Sequence, residues 1–114
     1  MLNTTNDLFE GKTETVRDIY RHLLGELRKV GPIRETPKEI SVNLENRKPF
    51  ASAIVRNRSI KLVLRTNHKI ASPRILNVEQ VAQKSYDHTI LLESKRDIDE
   101  ELILWLGDAY QTSK

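Results

Sequence analysis

The spacing of apolar residues changes from three and four to two between Val30 and Ile40, and this change constrains the fold of the chain most. Over residues 13–30 the apolar side chains fall on one stripe of an α-helix, with charged residues opposite. Gly31-Pro32 predicts the end of this helix, since glycine tolerates the left-handed cap conformation and proline cannot continue a helix. The stripe consists of Val16, Ile19, Tyr20, Leu23, Leu24, Leu27 and Val30.

Four later segments alternate apolar and polar residues, which predicts strands with one buried face. Asn57-Arg58 separates two of them and predicts a short hairpin, so the first three strands form an antiparallel meander. The facing of the second strand stays open, because Ala51/Ala53/Val55 and Phe50/Ile54 are both plausible core sets. The predicted strands are residues 40–44, 50–56, 60–65 and 86–92.

Residues 67–85 have no clear period, and two interpretations stay open. Asn77 is a candidate cap for a brief helix, and a surface excursion fits equally well. A closing helix is predicted next, because Asp97 and Glu100 have the spacing of a capping box. Its apolar face consists of Ile98, Leu102, Trp105, Leu106, Ala109 and Tyr110, which are assigned to the core.

These elements predict an α+β domain in which N- and C-terminal helices pack on one face of an antiparallel sheet of about four strands. Residues 1–12 are expected to be a flexible segment from which Leu8 and Phe9 reach the core, and residues 13–114 a single domain. No cysteine occurs among the 114 residues, which excludes disulfides and thiolate metal sites. No apolar run approaches the ~20 residues of a membrane span, and the polar start is unlike a signal peptide, so a cytoplasmic protein is expected.

Charge is distributed unevenly along the chain. Residues 46–84 contain nine Lys or Arg and one acid, Glu79, whereas the other 75 residues contain ten Lys or Arg and fifteen acids. Such a basic segment attracts phosphates, nucleic acid or an acidic partner, although cations on exposed strands also protect sheets from aggregation. The candidate binding residues are Arg47, Lys48, Arg56, Arg58, Lys61, Arg65, Lys69, Arg74 and His88.

Catalytic and metal motifs are absent from the sequence. It has no GxGxxG, no phosphate-binding loop and no Gly-x-Ser-x-Gly elbow. Its three scattered histidines lack the close spacing of zinc ligands, so neither a metal nor a cofactor is expected. His88 shares strand parity with Tyr86 and Ile90, which indicates a structural residue near the core, with an acid–base role as the alternative.

The start and end of the chain together resemble a known family. Residues 8–12 (LFEGK) precede the first helix, and residues 86–92 (YDHTILL) are followed by 97–102 (DIDEEL) and Trp105-Leu106. This pattern is similar to the family catalogued as domain of unknown function 5655, small bacterial and archaeal α+β domains. The resemblance runs from Leu8 to Tyr110 and implies no agreed activity, although some members are attached to predicted nucleases. It also implies recurring basic and histidine positions, matched by Lys48, Arg65 and His88.

The leading functional hypothesis is a non-enzymatic module whose basic sheet face binds a polyanion, most plausibly nucleic acid. Phe50 beside the basic residues is a candidate stacking surface. The alternative is a protein-interaction or accessory domain, monomeric or homodimeric, that docks an acidic partner; a dimer is expected to bury Phe50, Ile54 and Val63. A third hypothesis is a small enzyme on an anionic substrate with His88 as acid or base.

Overall fold

A computed structural model describes residues 8–113 of the protein. After Leu8 and Phe9, which are helical, the described part of the chain forms a long helix, six strands, a short 3₁₀ helix and a second long helix. The elements are α1 (Glu14–Val30), β1 (Arg34–Pro37), β2 (Ser41–Glu45), β3 (Pro49–Val55), β4 (Ile60–Thr66), β5 (Ile75–Ala82), β6 (Ser85–Leu92), the 3₁₀ helix (Lys95–Asp97) and α2 (Glu100–Thr112).

The strands form one antiparallel sheet in the order β1-β2-β3-β4-β6-β5. The predicted α+β class and the four predicted strands are confirmed, but the sheet has six strands instead of about four. Residues 34–37 carry no alternating apolar pattern, and bulges interrupt the period of β5. Neither a brief helix at Asn77 nor a surface loop, the two interpretations left open, describes residues 75–82, because they pair with β6 as an edge strand.

Both helices cover the same face of the sheet, as the sequence predicted. The stripe of α1 is buried from Val16 to Leu27, and α2 buries Leu102, Leu106, Ala109 and Tyr110 against β3 and β4. Strand alternation supplies the opposing side of the core, from Leu62 and Leu64 among others. Burial of these apolar side chains, at about 25 cal/mol per Å², is the main force holding the two layers together. The opposite face of the sheet carries no helix and is called the open face below.

Strand β3 resolves the two alternative core sets by using parts of both. Ala51, Ala53 and Val55 point toward the helices, and Ile54 lies half-buried on the open face. Phe50 is nevertheless only 1% exposed, because the register with β2 shifts between Leu44 and Glu45. A bulge changes the direction of side chains beside it, so Phe50 also enters the core.

Two predicted helix ends are corrected. Gly31 follows α1 with φ 166° and ψ −177°, an extended conformation instead of the left-handed cap. The N-cap of α2 is Asp99, whose carboxylate accepts a hydrogen bond of 3.0 Å from the Leu102 amide. Asp97 instead forms a capping box with Ser94 around the preceding 3₁₀ helix. Asp97 and Asp99 therefore cap the starts of two consecutive helices, the 3₁₀ helix and α2, instead of one.

Only residues 8–12 of the predicted N-terminal segment lie within the described part of the chain. Leu8 and Phe9 are buried in the core as predicted, and the Phe9 ring lies 4.9 Å from that of Tyr20. Residues 1–7 of the segment expected to be flexible lie outside the described residues. No helix within residues 8–113 has the length and apolar character needed to cross a membrane.

Candidate functional site

The predicted cations lie at two opposite ends of the sheet. Arg47 and Lys48 occupy the β2–β3 turn at one end, called the cleft end, together with Arg65 near the end of β4. Arg56 and Arg58 occupy the β3–β4 turn at the other end, called the far end. A seven-residue strand separates the two turns, which corresponds to about 20 Å at 3.3 Å per residue. The nine predicted residues therefore do not form one surface.

A cleft of about 600 Å³ opens at the cleft end. Lys48, Arg65 and Lys84 contribute its charge, from the β2–β3 turn, β4 and the β5–β6 turn respectively. Phe50 and the last turn of α2 also line it, and no Asp or Glu is among the lining residues that the structure describes. Three separate elements thus bring cations together where the helix layer ends.

Arg65 is held in place by a neighbouring carboxylate. Its Nε and Nη2 donate to the two carboxylate oxygens of Asp87, at 2.7 and 3.0 Å, and β4 and β6 place these residues directly opposite each other. The Asp87 hydrogen bonds raise the pKa of Arg65 above its usual value. The guanidinium is half exposed and its Nη1 donates no hydrogen bond within residues 8–113, so Arg65 keeps donors for an anion.

Lys48 and Lys84 differ from Arg65 in having no side-chain partner within residues 8–113. Both are exposed, and neither forms an ion pair or hydrogen bond with any residue that the structure describes. Arg47 is exposed beside Lys48 in the same turn and is likewise unpaired within the described part of the chain. Their positive charge is therefore available to a ligand without the loss of an existing contact.

Arg74 and Lys69 lie outside the cleft and stabilise the crossover between β4 and β5. Arg74 donates to Asp99 at 2.8 Å, to Glu101 at 3.2 Å and to the Asp97 carbonyl at 2.5 Å. Burial lowers the pKa of Arg74, but the carboxylates of Asp99 and Glu101 raise it by more. The pKa of Arg74 therefore lies above its usual value. Lys69 stands 5.8 Å from the centre of the Tyr86 ring, a cation–π contact. These two cations are engaged within the fold.

The half-buried Trp105 contributes to the same structural contact instead of forming only core. Its ring centre lies 5.8 Å from the Arg74 guanidinium, so this guanidinium is bonded at its edges and covered on one face. Such a contact contributes about 1 kcal/mol at a partly exposed site. Arg74 thus fastens the crossover segment to the start of α2.

The far end carries a second, more dispersed group of cations. Arg56 and Arg58 are exposed in the β3–β4 turn, and Lys61 lies half-buried on the open face. Lys61 and Arg65 both project from the open face, separated by Val63, and only Arg65 reaches the cleft. None of the three described pockets includes Arg56, Arg58 or Lys61.

His88 lies inside the core and cannot contact a ligand at the surface. Its exposed fraction is 0%, its Nε2 accepts a hydrogen bond of 2.9 Å from the Ile70 amide, and Nδ1 lies 3.4 Å from the Leu64 carbonyl. The acceptor role of Nε2 places the ring proton on Nδ1 in neutral imidazole. Burial lowers the pKa of His88, and the Leu64 carbonyl opposes this shift. The residue fastens the crossover segment to the sheet.

The buried imidazole predicts a pH-dependent stability. Because the pKa of His88 is lowered from 6.5 in the folded state, the unfolded chain binds the proton more readily. At pH values above the ordinary histidine pKa of 6.5, His88 should leave the free energy of unfolding constant. As the pH falls from 6.5 to the lower pKa of the folded state, the free energy of unfolding should decrease by at most about 1.4 kcal/mol per pH unit. Urea unfolding between about pH 5 and pH 8 measures this slope.

The variant His88→Leu should lose this slope and also lose about 1–2 kcal/mol above pH 7, because the Ile70 amide is left without its acceptor. His22→Gln, at a partly exposed position of α1, is the matched control and should keep the slope. An unchanged slope in His88→Leu would contradict the assignment of the titration to His88.

No group of three or more His, Asp or Glu side chains that could hold a metal ion occurs within residues 8–113. Asp99 and Glu101 at the start of α2 have structural partners instead. The N-cap hydrogen bond from the Leu102 amide lowers the pKa of Asp99, and Arg74 lowers it further.

Residues 5–113 match the family model described as domain of unknown function, DUF5655. The chain belongs to the DUF5655 family. No curated protein and no solved structure matches the chain. The resemblance seen at the two ends of the sequence is therefore confirmed over residues 5–113 of the chain.

Lys84 is the functional candidate that sequence reasoning missed. It is one of the nine cations of the basic segment, but residues 67–85 had no assigned conformation. The structure places it in the tight turn between β5 and β6, beside Ser85 on the cleft wall. A hairpin assigned to residues 75–92 would have pointed to it, because such a turn lies at the same sheet end as the β2–β3 turn.

Proposed function

We propose that this DUF5655 domain is a non-enzymatic binding module whose cleft binds the phosphate backbone of nucleic acid. The observation that carries the proposal is the convergence of Lys48, Arg65 and Lys84 from three elements on one cleft without a lining carboxylate. Lysine and arginine that neutralise phosphates release condensed counterions, and this release supplies most of the affinity of sequence-independent binders.

Glu100 and Glu101 are too far away to cancel this charge, whereas Asp108, about one helical turn from Thr112, is not among the described lining residues. Glu100 and Glu101 begin the helix, whereas Thr112 and Ser113 at its other end line the cleft. At 1.5 Å per residue, the two ends are separated by roughly 17 Å, about twice the Debye length of ~8 Å at physiological ionic strength. Screening therefore largely removes the effect of Glu100 and Glu101 on the cleft, and Asp87, which is bonded to Arg65, offsets part of the charge of that one residue.

The aromatic side chains favour recognition of the backbone over recognition of bases. Phe50 is the one aromatic residue among the described cleft-lining residues, and it is 1% exposed. The Phe50 ring is not free to stack on a base, so the expectation that Phe50 is a stacking surface is wrong. Binding should therefore depend weakly on base sequence and strongly on salt.

The proposal predicts how affinity changes with salt and with two cleft lysines. Fluorescence anisotropy with a labelled single-stranded oligonucleotide should give log Kd against log salt concentration with a slope of magnitude about 2, for three phosphate contacts at ~0.7 each. The double variant Lys48→Glu/Lys84→Glu should bind at least about tenfold more weakly at low salt and reduce that slope to about 0.7.

The far end of the sheet offers a matched control. Arg56→Glu/Arg58→Glu makes the same total change of charge about 20 Å from the cleft, at two exposed side chains that have no partner within residues 8–113. It should weaken binding less than threefold, since those side chains lie outside the cleft. A larger loss in this control than in the cleft variant would overturn the location, and no binding of DNA or RNA at low salt would overturn the function.

An acidic protein partner is the alternative ligand for the same cations. Competition with polyglutamate distinguishes the two, because Arg65 and the two lysines would contact carboxylates in one case and phosphates in the other. Polyglutamate binding without oligonucleotide binding would support docking of an acidic protein and contradict the nucleic-acid proposal. The enzyme hypothesis has no comparable support, since its acid–base residue His88 is enclosed in the core.

A further inference from the structure

The two edges of the sheet are protected very differently. Edge strand β1 has four residues, ends in Pro37, and carries Arg34 and Glu35 in ion pairs. Edge strand β5 has eight residues, its positions 76–82 are all exposed, and it contains no Lys, Arg or Pro. Charge, proline and short length are the usual devices that prevent an edge from pairing with another strand. Edge β1 uses all three, whereas β5 is long, lacks proline and carries a single charged residue, Glu79.

Exposed apolar side chains are concentrated on the same edge. Among residues 8–113 five large hydrophobic side chains are exposed, and three of them are Leu76, Val78 and Val81 on β5, at 61%, 36% and 40%. The outer backbone groups of an edge strand have no partner within the sheet and are a template for a further strand. An edge that combines free backbone groups with apolar side chains fits a partner strand better than it fits water.

Bulges restrict which part of β5 can pair regularly. The register with β6 shifts between Ile75 and Asn77 and again between Gln80 and Ala82, so residues 77–80 are the regular segment. Val78 lies opposite His88 on the helix side, and Asn77 and Glu79 lie opposite Thr89 and Asp87 on the open face. Pairing with a further strand is therefore centred in the middle of β5.

We propose that β5 pairs antiparallel with β5 of a second copy of this chain, with Val78 on the twofold axis. An antiparallel pair of identical strands has its twofold axis perpendicular to the sheet, so residues that lie opposite each other share a face. The Val78-centred register places the two valines together on the helix side. On the open face it places Asn77 of each copy opposite Glu79 of the other, where the amide donates to the carboxylate.

Charge selects this register over the one centred on the next residue. With Glu79 on the axis, two carboxylates would lie directly opposite each other about 5 Å apart, an arrangement that destabilises a sheet. The Val78-centred register has no like-charge pair and contains a β-branched pair. The strand pair is small beside the ~1,600 Å² of a stable interface, so the dimer should be in concentration-dependent exchange with monomer.

A single introduced cysteine tests the pairing directly, because the natural chain contains none. Opposed residues of an antiparallel pair have Cα atoms about 4.5–5.5 Å apart, within the range of a disulfide. Val78→Cys in the full chain should therefore form a covalent dimer under mild oxidation at least about tenfold faster than Leu104→Cys. Leu104 is the matched control, since it is 73% exposed on the outer side of α2.

Light scattering after size exclusion provides the second measurement. The natural chain should approach twice the monomer mass as concentration rises, and Val78→Lys should stay monomeric because two ammonium groups would meet on the axis. Ile40→Lys, at a position 64% exposed outside β5, should behave like the natural chain. A monomer at every concentration, together with equal oxidation rates for the two cysteine variants, would overturn the proposal.

The dimer and the anion cleft use different residues, so each can fail without the other. The dimer previously expected to bury Phe50, Ile54 and Val63 is replaced by this interface, because Phe50 is already enclosed in the core. Val78→Lys should accordingly leave oligonucleotide binding by each protomer within about threefold of the natural chain.

Discussion

Replacing Phe50 with alanine is expected to lower the free energy of unfolding by about 4 kcal/mol, the largest effect of any single substitution considered for this domain. The ring is 1% exposed and packs edge-on against Tyr110, with centroids 5.4 Å apart and planes at 81°. Removing it deletes this aromatic pair and leaves a cavity between β3 and α2 that the rigid strand and helix cannot close.

The same substitution should weaken anion binding, because Phe50 forms the apolar wall against which Lys48 and Arg65 are arranged. Urea unfolding measures the first effect, and anisotropy at a temperature where the variant remains folded measures the second. Ile54→Ala is the matched control. Its side chain is half-buried on the open face of the same strand and should cost about 1 kcal/mol without affecting the cleft. A loss below 1 kcal/mol for Phe50→Ala would contradict the enclosed position of the ring.

Local patterns predicted the elements whose faces differ in polarity. The stripe from Val16 to Val30 predicted α1 within one residue at each end, and the alternation around Leu62 and Ile90 predicted two central strands. These segments bury one face against the core, so the burial itself imposes the period on the sequence. Segments without a buried face carry no such signal, and β1 and β5 at the two edges were missed for this reason.

The candidate site depended on contacts between distant parts of the chain. The basic segment of the sequence correctly drew attention to Lys48 and Arg65, but proximity along the chain did not reveal that Arg58 lies at the opposite end of the sheet. The ion pairs of these cations could not be predicted from the sequence either. Arg65 meets Asp87 across 22 positions and Arg74 meets Asp99 across 25, so neither cation is as free as its sequence neighbourhood indicated.

Glycine is required at position 31 because of a close contact with Tyr110, a residue far away in the sequence. A Cβ atom at this position would lie 2.9 Å from Cζ of Tyr110 and closer still to its hydroxyl oxygen. Tyr110 cannot move away freely, since it is 4% exposed, packs on Phe50 and donates a hydrogen bond of 3.0 Å to the Pro32 carbonyl. The backbone of Gly31 is extended, which any residue can adopt, so the constraint is the close approach and not the dihedral angles.

Gly31→Ala is therefore expected to cost about 3 kcal/mol by overpacking, and Tyr110→Phe about 1 kcal/mol through the lost hydrogen bond. The double variant should cost about 2 kcal/mol instead of the additive value of about 4, because removing the hydroxyl oxygen removes the closest contact. Urea unfolding of the four proteins closes this cycle, with Gly25→Ala as control, since a Cβ there meets nothing within 4 Å. Additive losses would show that Gly31 acts through the backbone alone, whereas a coupling of about 2 kcal/mol would show that the end of α1 is selected by the ring it must admit.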